Sequence, residues 1–389
     1  MSTLIGADEA ARTLGVTKPT LYAYVSRGLV GRQLAVDGRT SLYDRDAIEM
    51  LANRSRRRPP VQRPSIDVQI ATDITRIHDD SPTYRGHRLL DLVTEHGFEE
   101  IAELMFTGTL PEGPVRWEAE RATIARAKAV IGAAATVDPI TVLSLAACTL
   151  DRPDEPDGPH DADDASRAAA TGRRLLALAP SLLGGPARGT VAGRLARAWV
   201  RRPSPELVAA IDRALALLAD HELATSTLAV RVAASVRASP AAAIVAGLGV
   251  VSGPLHGGAS RAAAELFQEA ATSTAAVHRR LEAGERLPGF GHSVYRTGDP
   301  RFAPLLDAVR AIPVDPDRSA VVDAVIGQAG REIGHLPHVD LALGALYFVG
   351  GLPHDAPVFA IARIAGWTAH YVEELGERPV RFRGLSRER

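Results

Sequence analysis

A mainly α-helical body with a small basic module in front is the fold class this sequence predicts. Three observations predict it. Apolar residues recur at helical spacing over 98–110, 168–182 and 207–236, and no series of strand-like alternation follows residue 90. Residues 1–59 hold ten Lys/Arg against six Asp/Glu, a net of +4, while the remainder of the 389-residue chain carries −5. Between the two parts stands Arg54-Ser55-Arg56-Arg57-Arg58-Pro59-Pro60, whose basic residues and paired prolines read as an extended linker.

Taken in order, residues 5–14 read as a short helix through Ala10, Ala11 and Leu14. Gly15 breaks it, and Thr17 caps a second helix with Pro19 in its first turn. Val36-Asp37-Gly38-Arg39 supplies a hairpin turn, and a third helix begins near Tyr43-Asp44. This helix, glycine turn, helix and hairpin series resembles the winged helix-turn-helix domains of MerR-type regulators and excisionases. The resemblance implies a duplex DNA partner for residues 1–59. Lys18, Thr20, Tyr22 and Tyr24 would lie on the recognition helix and Arg39 in the wing. The alternative is a docking domain with the same fold and no DNA.

In the body, residues 66–76 alternate polar and apolar and predict one or two strands. Residues 151–164 are an acidic, proline-containing insertion. It reads as a solvated loop rather than a metal site built on His160. Cys148 is the only cysteine, so an intrachain disulfide and a thiolate metal cluster are excluded, and its apolar neighbours predict burial. Hydrophobic residues make up 46% and charged residues 23%, as in soluble globular proteins. The apolar runs are too short to span a bilayer, and no signal peptide is recognisable. A cytoplasmic protein without a membrane partner is expected.

Chemistry concentrates after residue 220. Asp220-His221-Glu222 is followed by Gly253-Pro254-Leu255-His256-Gly257-Gly258. Then comes Leu287-Pro288-Gly289-Phe290-Gly291-His292-Ser293-Val294-Tyr295-Arg296-Thr297-Gly298-Asp299-Pro300-Arg301. Pro337-His338-Val339-Asp340, Ala362-Arg363-Ile364-Ala365-Gly366-Trp367 and Glu377-Arg378-Pro379 close the series. Glycine-framed loops hold imidazoles in fixed places, and guanidinium forks suit carboxylate or phosphate.

This ordered series resembles the citrate synthase family, including the 2-methylcitrate synthases, over roughly residues 64–389. The resemblance implies a citrate synthase-like multi-helix fold for residues 60–389. Its large part would span about 60–252 and 346–389, and its small part about 253–345. It further implies an enzyme, a citrate synthase-like acyltransferase that condenses acetyl-CoA or propionyl-CoA with oxaloacetate. Asp340 would be the base, His256 the donor to the thioester oxygen and His292 the donor to the keto oxygen. His221, Arg301 and Arg363 would hold oxaloacetate with Arg378 from a second subunit of a homodimer, and Arg296 would face a CoA phosphate. CoA is then a co-substrate, with no tightly bound cofactor and no metal. His338 departs from the asparagine usual in the family, and Leu341-Ala342-Leu343 form a more apolar wall beyond Asp340. The other reading is a DNA-binding regulator that uses a synthase-like body to sense oxaloacetate or an acyl-CoA.

Overall fold

The computed structural model describes residues 4–14, 16–26, 30–35, 40–49, 69–150, 163–292 and 294–383. Arg39 and its turn, the 54–60 linker, and His160 with most of its acidic insertion lie outside them. The chain forms two compact units, Met1–Gln69 and Ile70–Arg389.

The first unit has its own core of Ile5, Ala10, Ala11, Leu21, Val30, Tyr43 and Ile48. Strand β1 (Leu4–Gly6) leads into helices α1 (Ala7–Leu14) and α2 (Lys18–Ser26). Strands β2 (Gln33–Leu34) and β3 (Ser41–Asp44) follow, and residues 45–49 form α3. The sheet order is β1-β3-β2, with Ile5 opposite Tyr43. Pairing with β3 thus takes residues 4–6 into a strand, so the first helix begins at Ala7 rather than at residue 5.

In the second unit the first strand overlaps only the end of the expected 66–76 stretch, whose residues 66–68 lie outside the described ones. The strands form one antiparallel meander, β4 (Thr75–His78), β5 (Ser81–Tyr84) and β6 (His87–Arg88). Helices follow: α4 (Leu89–Glu95), α5 (Phe98–Thr107), α6 (Arg121–Ala134), α7 (Pro139–Cys148) and α8 (Asp164–Leu182). Next are α9 (Val191–Trp199), α10 (Pro205–Leu218), α11 (Thr225–Ser235), α12 (Pro240–Val251) and α13 (Ala259–Thr272). The series ends with α14 (Ala276–Glu282), α15 (Phe302–Arg310), α16 (Pro316–Glu332), α17 (Val339–Gly350) and α18 (Val358–Leu375). Four of them start alike: a polar side chain (Asp138, Ser204, Ser239 or Asp315) caps a freed backbone N–H and proline takes the first helical position. Among the described residues no helix is long and apolar enough to cross a membrane.

Helix α18 is the centre of the body. It is buried along most of its length and packs on α5, α8, α10, α11 and α12. Helix α17 is buried at Val339 and from Leu341 to Val349, against α13 and α15, with Asp340 partly exposed. Cys148 proves exposed. The inward face of α7 is set by Leu143, Ala146 and Ala147, and residue 148 turns away from it.

A buried chain of charges ties the C-terminal segment to the middle of the body. Arg381 forks onto Glu374 with two 2.7 Å hydrogen bonds, and Arg231 Nε donates to the same carboxylate at 2.7 Å. Arg231 also pairs with Glu373 and donates to His370 Nδ1 at 3.1 Å. His370 Nε2 therefore carries the proton and donates to Asp220 Oδ2 at 3.1 Å. Glu373 in turn accepts the Asp73 N–H, across 300 residues of chain.

Candidate active site

The run 207–236 looks continuously helical in sequence, yet the structure breaks it between α10 and α11, and His221 sits in the break. The cause lies far upstream. The buried Tyr84 hydroxyl accepts the Asp220 N–H at 3.1 Å and donates to the Asp220 carbonyl at 3.0 Å. Glu222 accepts the Ile77 N–H at 3.1 Å. From the other side, Gly366 of α18 approaches so closely that a Cβ there would stand 2.5 Å from the Ala219 carbonyl oxygen. The turn is held on both flanks.

The glycine-rich loop 287–301 is held just as firmly. Gly291 N donates to Leu336 O and His338 N to Gly289 O, both at 2.9 Å, so the loop pairs with the strand-like residues before α17. Gly289 has φ +81°, and a Cβ there would meet Leu341 at 2.6 Å. Asp80, at the tip of the β4–β5 turn, accepts the backbone N–H groups of Arg296 and Thr297 at 3.0 and 2.7 Å. Asp299 binds the Arg301 fork, with Nε and NH2 each at 2.9 Å, and accepts the Val339 N–H at 3.0 Å. One carboxylate therefore fixes both Arg301 and the start of the helix that carries Asp340. Burial works to raise Asp299, but the Arg301 charge and these hydrogen bonds prevail and hold it below the usual carboxylate range.

These supports bring most of the expected residues together. The His221 and His292 ring centroids are 5.4 Å apart, and Tyr295 touches both. His221 Nε2 lies 3.1 Å from the Tyr295 hydroxyl. Arg301 stacks over the Tyr295 ring at 5.4 Å. His338 stands edge-on to His292 at 5.6 Å and reaches Asp340 Oδ2 with Nδ1 at 3.2 Å. On the other side, the Phe359 ring seats the Arg363 guanidinium at 4.9 Å and meets the edge of His256 at 5.9 Å.

Hydrogen bonds define the proton positions on two of the imidazoles. Val294 N–H donates to His292 Nδ1 at 3.0 Å, so neutral His292 presents its Nε2–H. Ser226 Oγ receives the Trp367 indole N–H at 3.3 Å and lies 2.8 Å from His256 Nε2. With no other acceptor for its hydroxyl proton among the described residues, Ser226 donates to Nε2, and His256 presents Nδ1–H. Burial first, then the positive charge of Arg301 or Arg363, pushes His221, His256 and His292 down from the ordinary histidine range. All three are neutral donors at neutral pH.

The arginines differ sharply. Arg301 is saturated on one edge by Asp299. Arg363 is 4% exposed, yet its Nε and NH1 have no hydrogen-bond partner. Asp220 Oδ1 is 3.9 Å from that NH1, too long for a hydrogen bond, and is likewise unpaired. A buried guanidinium with two free N–H groups is incomplete without an anion or water. Arg296 is exposed, lining a cleft that includes His292. Arg378 is exposed beyond α18, and among the described residues no contact joins it to the cluster. Among the described residues no group of three or more His, Cys, Asp or Glu is placed to hold a metal. In the first unit, Tyr22 is half exposed, Lys18 pairs with Asp8 at 2.6 Å, Thr20 meets Thr17, and Tyr24 packs on the local core.

Sequence reasoning passed over Asp80, Tyr295, Asp299 and His338. For Asp299 a signal existed: a carboxylate two residues before an arginine, across a proline, can bind that arginine's fork.

A mainly helical body that gathers neutral, half-buried imidazoles, one carboxylate and a guanidinium with two unpaired N–H groups is suited to polarising carbonyls and holding an anion. The sequence profile described as "Citrate synthase, C-terminal domain" matches residues 68–383, most of the chain, and the chain belongs to that family. The 2-methylcitrate synthase of Mycobacterium tuberculosis is 28% identical over 366 residues, covering 84% of this chain and 92% of that protein. Citrate synthase 2 of Bacillus subtilis is 29% identical over 342 residues, covering 79% and 90%. The citrate synthase structure from Pyrobaculum aerophilum superposes with a TM-score of 0.70 at 25% identity, covering 82% of this chain and 90% of that one. A Thermoplasma acidophilum citrate synthase, solved as a ternary complex with carboxymethyl coenzyme A and oxaloacetate, gives 0.64 at 25% identity over 82% and 93%.

Proposed function

We propose that the second unit condenses a short acyl-CoA, acetyl or propionyl, with oxaloacetate and water to give citrate or 2-methylcitrate and CoA. The observation that carries this reading is the convergence of three neutral imidazoles, Asp340 and the unpartnered Arg363 guanidinium. Asp340 removes one proton from the thioester α-carbon, and the C–H electron pair moves onto the thioester oxygen, where His256 Nδ1–H receives it. The α-carbon then attacks the keto carbon of oxaloacetate. A carbon–carbon bond forms as the keto C=O π bond opens, His292 Nε2–H donates a hydrogen bond to the resulting alkoxide, and in net balance that oxygen takes up the proton Asp340 removed, restoring the base. Water cleaves the resulting thioester at the C–S bond and releases CoA as thiol. Arg301, Arg363 and His221 hold the oxaloacetate carboxylates, joined by the partner's Arg378 in a homodimer, and Arg296 meets a CoA phosphate. We place the small part at about 253–345, closing on the remainder of 60–389.

One methylene changes affinity by only about 1–3 kcal/mol, so acetyl and propionyl thioesters are expected to differ by rate and not by reaction. The test is thiol release followed with a chromogenic disulfide. Release should require both oxaloacetate and an acyl-CoA, and release from neither thioester would overturn the reading.

A second reading applies to the first unit: residues 1–59 form a winged helix-turn-helix module that binds duplex DNA. It is supported by the strand, helix, helix, hairpin order around an independent core, by the exposed Tyr22 on α2, and by the local net charge of +4. Deleting residues 1–59 should abolish DNA binding and leave thiol release unchanged. In the intact protein, affinity for sequences selected from a random pool should fall as salt rises. An unenriched pool with salt-independent retention would leave the module as a docking domain.

A further inference from the structure

One hairpin reaches both sides of the proposed site. Strand β4 gives its Ile77 N–H to Glu222, and β5 carries the Tyr84 hydroxyl that brackets Asp220. The turn between them carries Asp80, bound to the loop of Arg296. The hairpin is thus a brace between the His221 turn and that loop.

Its turn is a strained choice. His78 pairs with Ser81, so Asp79-Asp80 is a two-residue turn, and both residues have positive φ, +47° and +58°. That is the type I′ hairpin, whose second position normally falls to glycine because a Cβ strains the left-handed backbone. Aspartate at 80 accepts the strain, and its side chain uses the position. Oδ1 accepts the Arg296 N–H at 3.0 Å, and Oδ2 accepts the Thr297 N–H at 2.7 Å and the Thr297 hydroxyl at 2.5 Å. These bonds, the hydroxyl first, hold the carboxyl below its usual range, so it is ionised at neutral pH. Strain retained at a single residue is a mark of function.

The rest of the loop shows which function. Gly289 and Gly291 are held by pairing with residues 336–338, and Arg301 is held by Asp299. Between these anchors, Asp80 is the only group outside the loop, among the described residues, that hydrogen-bonds the backbone of residues 294–297. Arg296 lies within that span. Its guanidinium is exposed and makes no hydrogen bond or ion pair among the described residues, so its backbone alone fixes where it starts from.

We propose that Asp80 is a positioning residue for CoA: through the Arg296 and Thr297 amides it holds the crest of the loop, so that the Arg296 guanidinium is presented to a CoA phosphate. This rests on the reading of Arg296 as the phosphate contact. Asp80 itself touches no substrate and transfers no proton.

The test uses the full-length protein with Asp80→Gly, Asp80→Asn, Arg296→Leu and the double variant Asp80→Gly/Arg296→Leu. CoA affinity is read by calorimetry, beside both KM values and the melting temperature. Glycine adopts the left-handed turn without strain, so the hairpin keeps its shape and only the latch is lost. Ordering one long side chain on binding costs roughly 3- to 10-fold in affinity. Asp80→Gly should therefore weaken CoA binding and raise the acyl-CoA KM by about 3- to 10-fold, with the oxaloacetate KM and melting temperature unchanged. Asp80→Asn keeps a carbonyl acceptor and tolerates the left-handed backbone, and should stay within about twofold. Because Asp80 acts through Arg296, the double variant should bind CoA no more weakly than Arg296→Leu alone.

A lower melting temperature with unchanged CoA affinity would make Asp80 a purely structural residue and overturn the proposal. Additive losses in the double variant would overturn it as well, since Asp80 would then act other than through Arg296. A weakened Arg296→Leu beside an unaffected Asp80→Gly would remove Asp80 alone. Unchanged CoA binding in Arg296→Leu would remove the phosphate assignment and this proposal with it. Calorimetry reads each outcome without turnover, so none of them depends on the condensation itself.

Discussion

Asparagine at position 340 is expected to lower turnover by about 10³-fold or more while calorimetry finds oxaloacetate binding within a few-fold of the unmodified protein. A positioned general base contributes typically about 10²–10⁴-fold, and a thioester α-proton is too weakly acidic to leave without one. The substitution keeps the shape of the side chain and the backbone N–H that His338 Nδ1 accepts, so the start of α17 and the Asp299–Val339 bond stay in place. Oxaloacetate contacts are assigned to His221, Arg301 and Arg363, none of which bonds to Asp340. Thiol-release kinetics and calorimetry on one preparation separate the two effects. Near-normal turnover would end the assignment.

Arg363→Leu should raise the oxaloacetate requirement by on the order of 10²-fold without lowering the melting temperature of the ligand-free protein. Truncating one partner of a buried, hydrogen-bonded charge pair costs about 2–5 kcal/mol of binding, and 1.4 kcal/mol is tenfold in affinity. Without ligand the balance differs, because Arg363 is a desolvated cation with Nε and NH1 unpaired, which burial alone disfavours. Leucine removes that penalty, and Asp220 keeps its bond from His370. Arg301 provides the contrast. Its loss would leave Asp299 buried and uncompensated, so Arg301→Leu should weaken oxaloacetate binding and the fold together. Steady-state kinetics with thermal denaturation of both variants reads the difference. Equal destabilisation of the two proteins would mean that the Arg363 pocket is already filled by the protein itself.

The helical body was readable because its signals are local: period-3.6 apolar faces, and Asp-Pro or Ser-Pro at helix starts. The motif series likewise marked the residues that meet at the site. What remained hidden depends on partners distant in sequence. Nothing near Asp220 announces that Tyr84 will hold its backbone and break a run that otherwise reads as one helix. Asp80 looks like an ordinary turn residue until the tip of its hairpin meets the Arg296 and Thr297 amides. At position 338 the sequence shows only a departure from the asparagine usual in the family; that its ring abuts His292 depends on the pairing of its backbone with Gly289. Cys148 misled for the opposite reason, since apolar neighbours in sequence are not neighbours on a helix face.

The charge chain from Arg381 through Glu374, Arg231 and His370 to Asp220 also bears on how such a protein comes into being. Its members are drawn from the α10–α11 break, α11, α18 and the C-terminal segment, and the Asp73–Glu373 bond closes nearly the whole second unit. Contacts of such long sequence separation cost loop-closure entropy before they return any stability, and they slow folding. During synthesis the helices up to α16 can form and begin to collapse while Arg231 and Asp220 still await their partners on α18. The pocket around Arg363 is therefore among the last features to assemble, and an incomplete nascent chain carries no working copy of it.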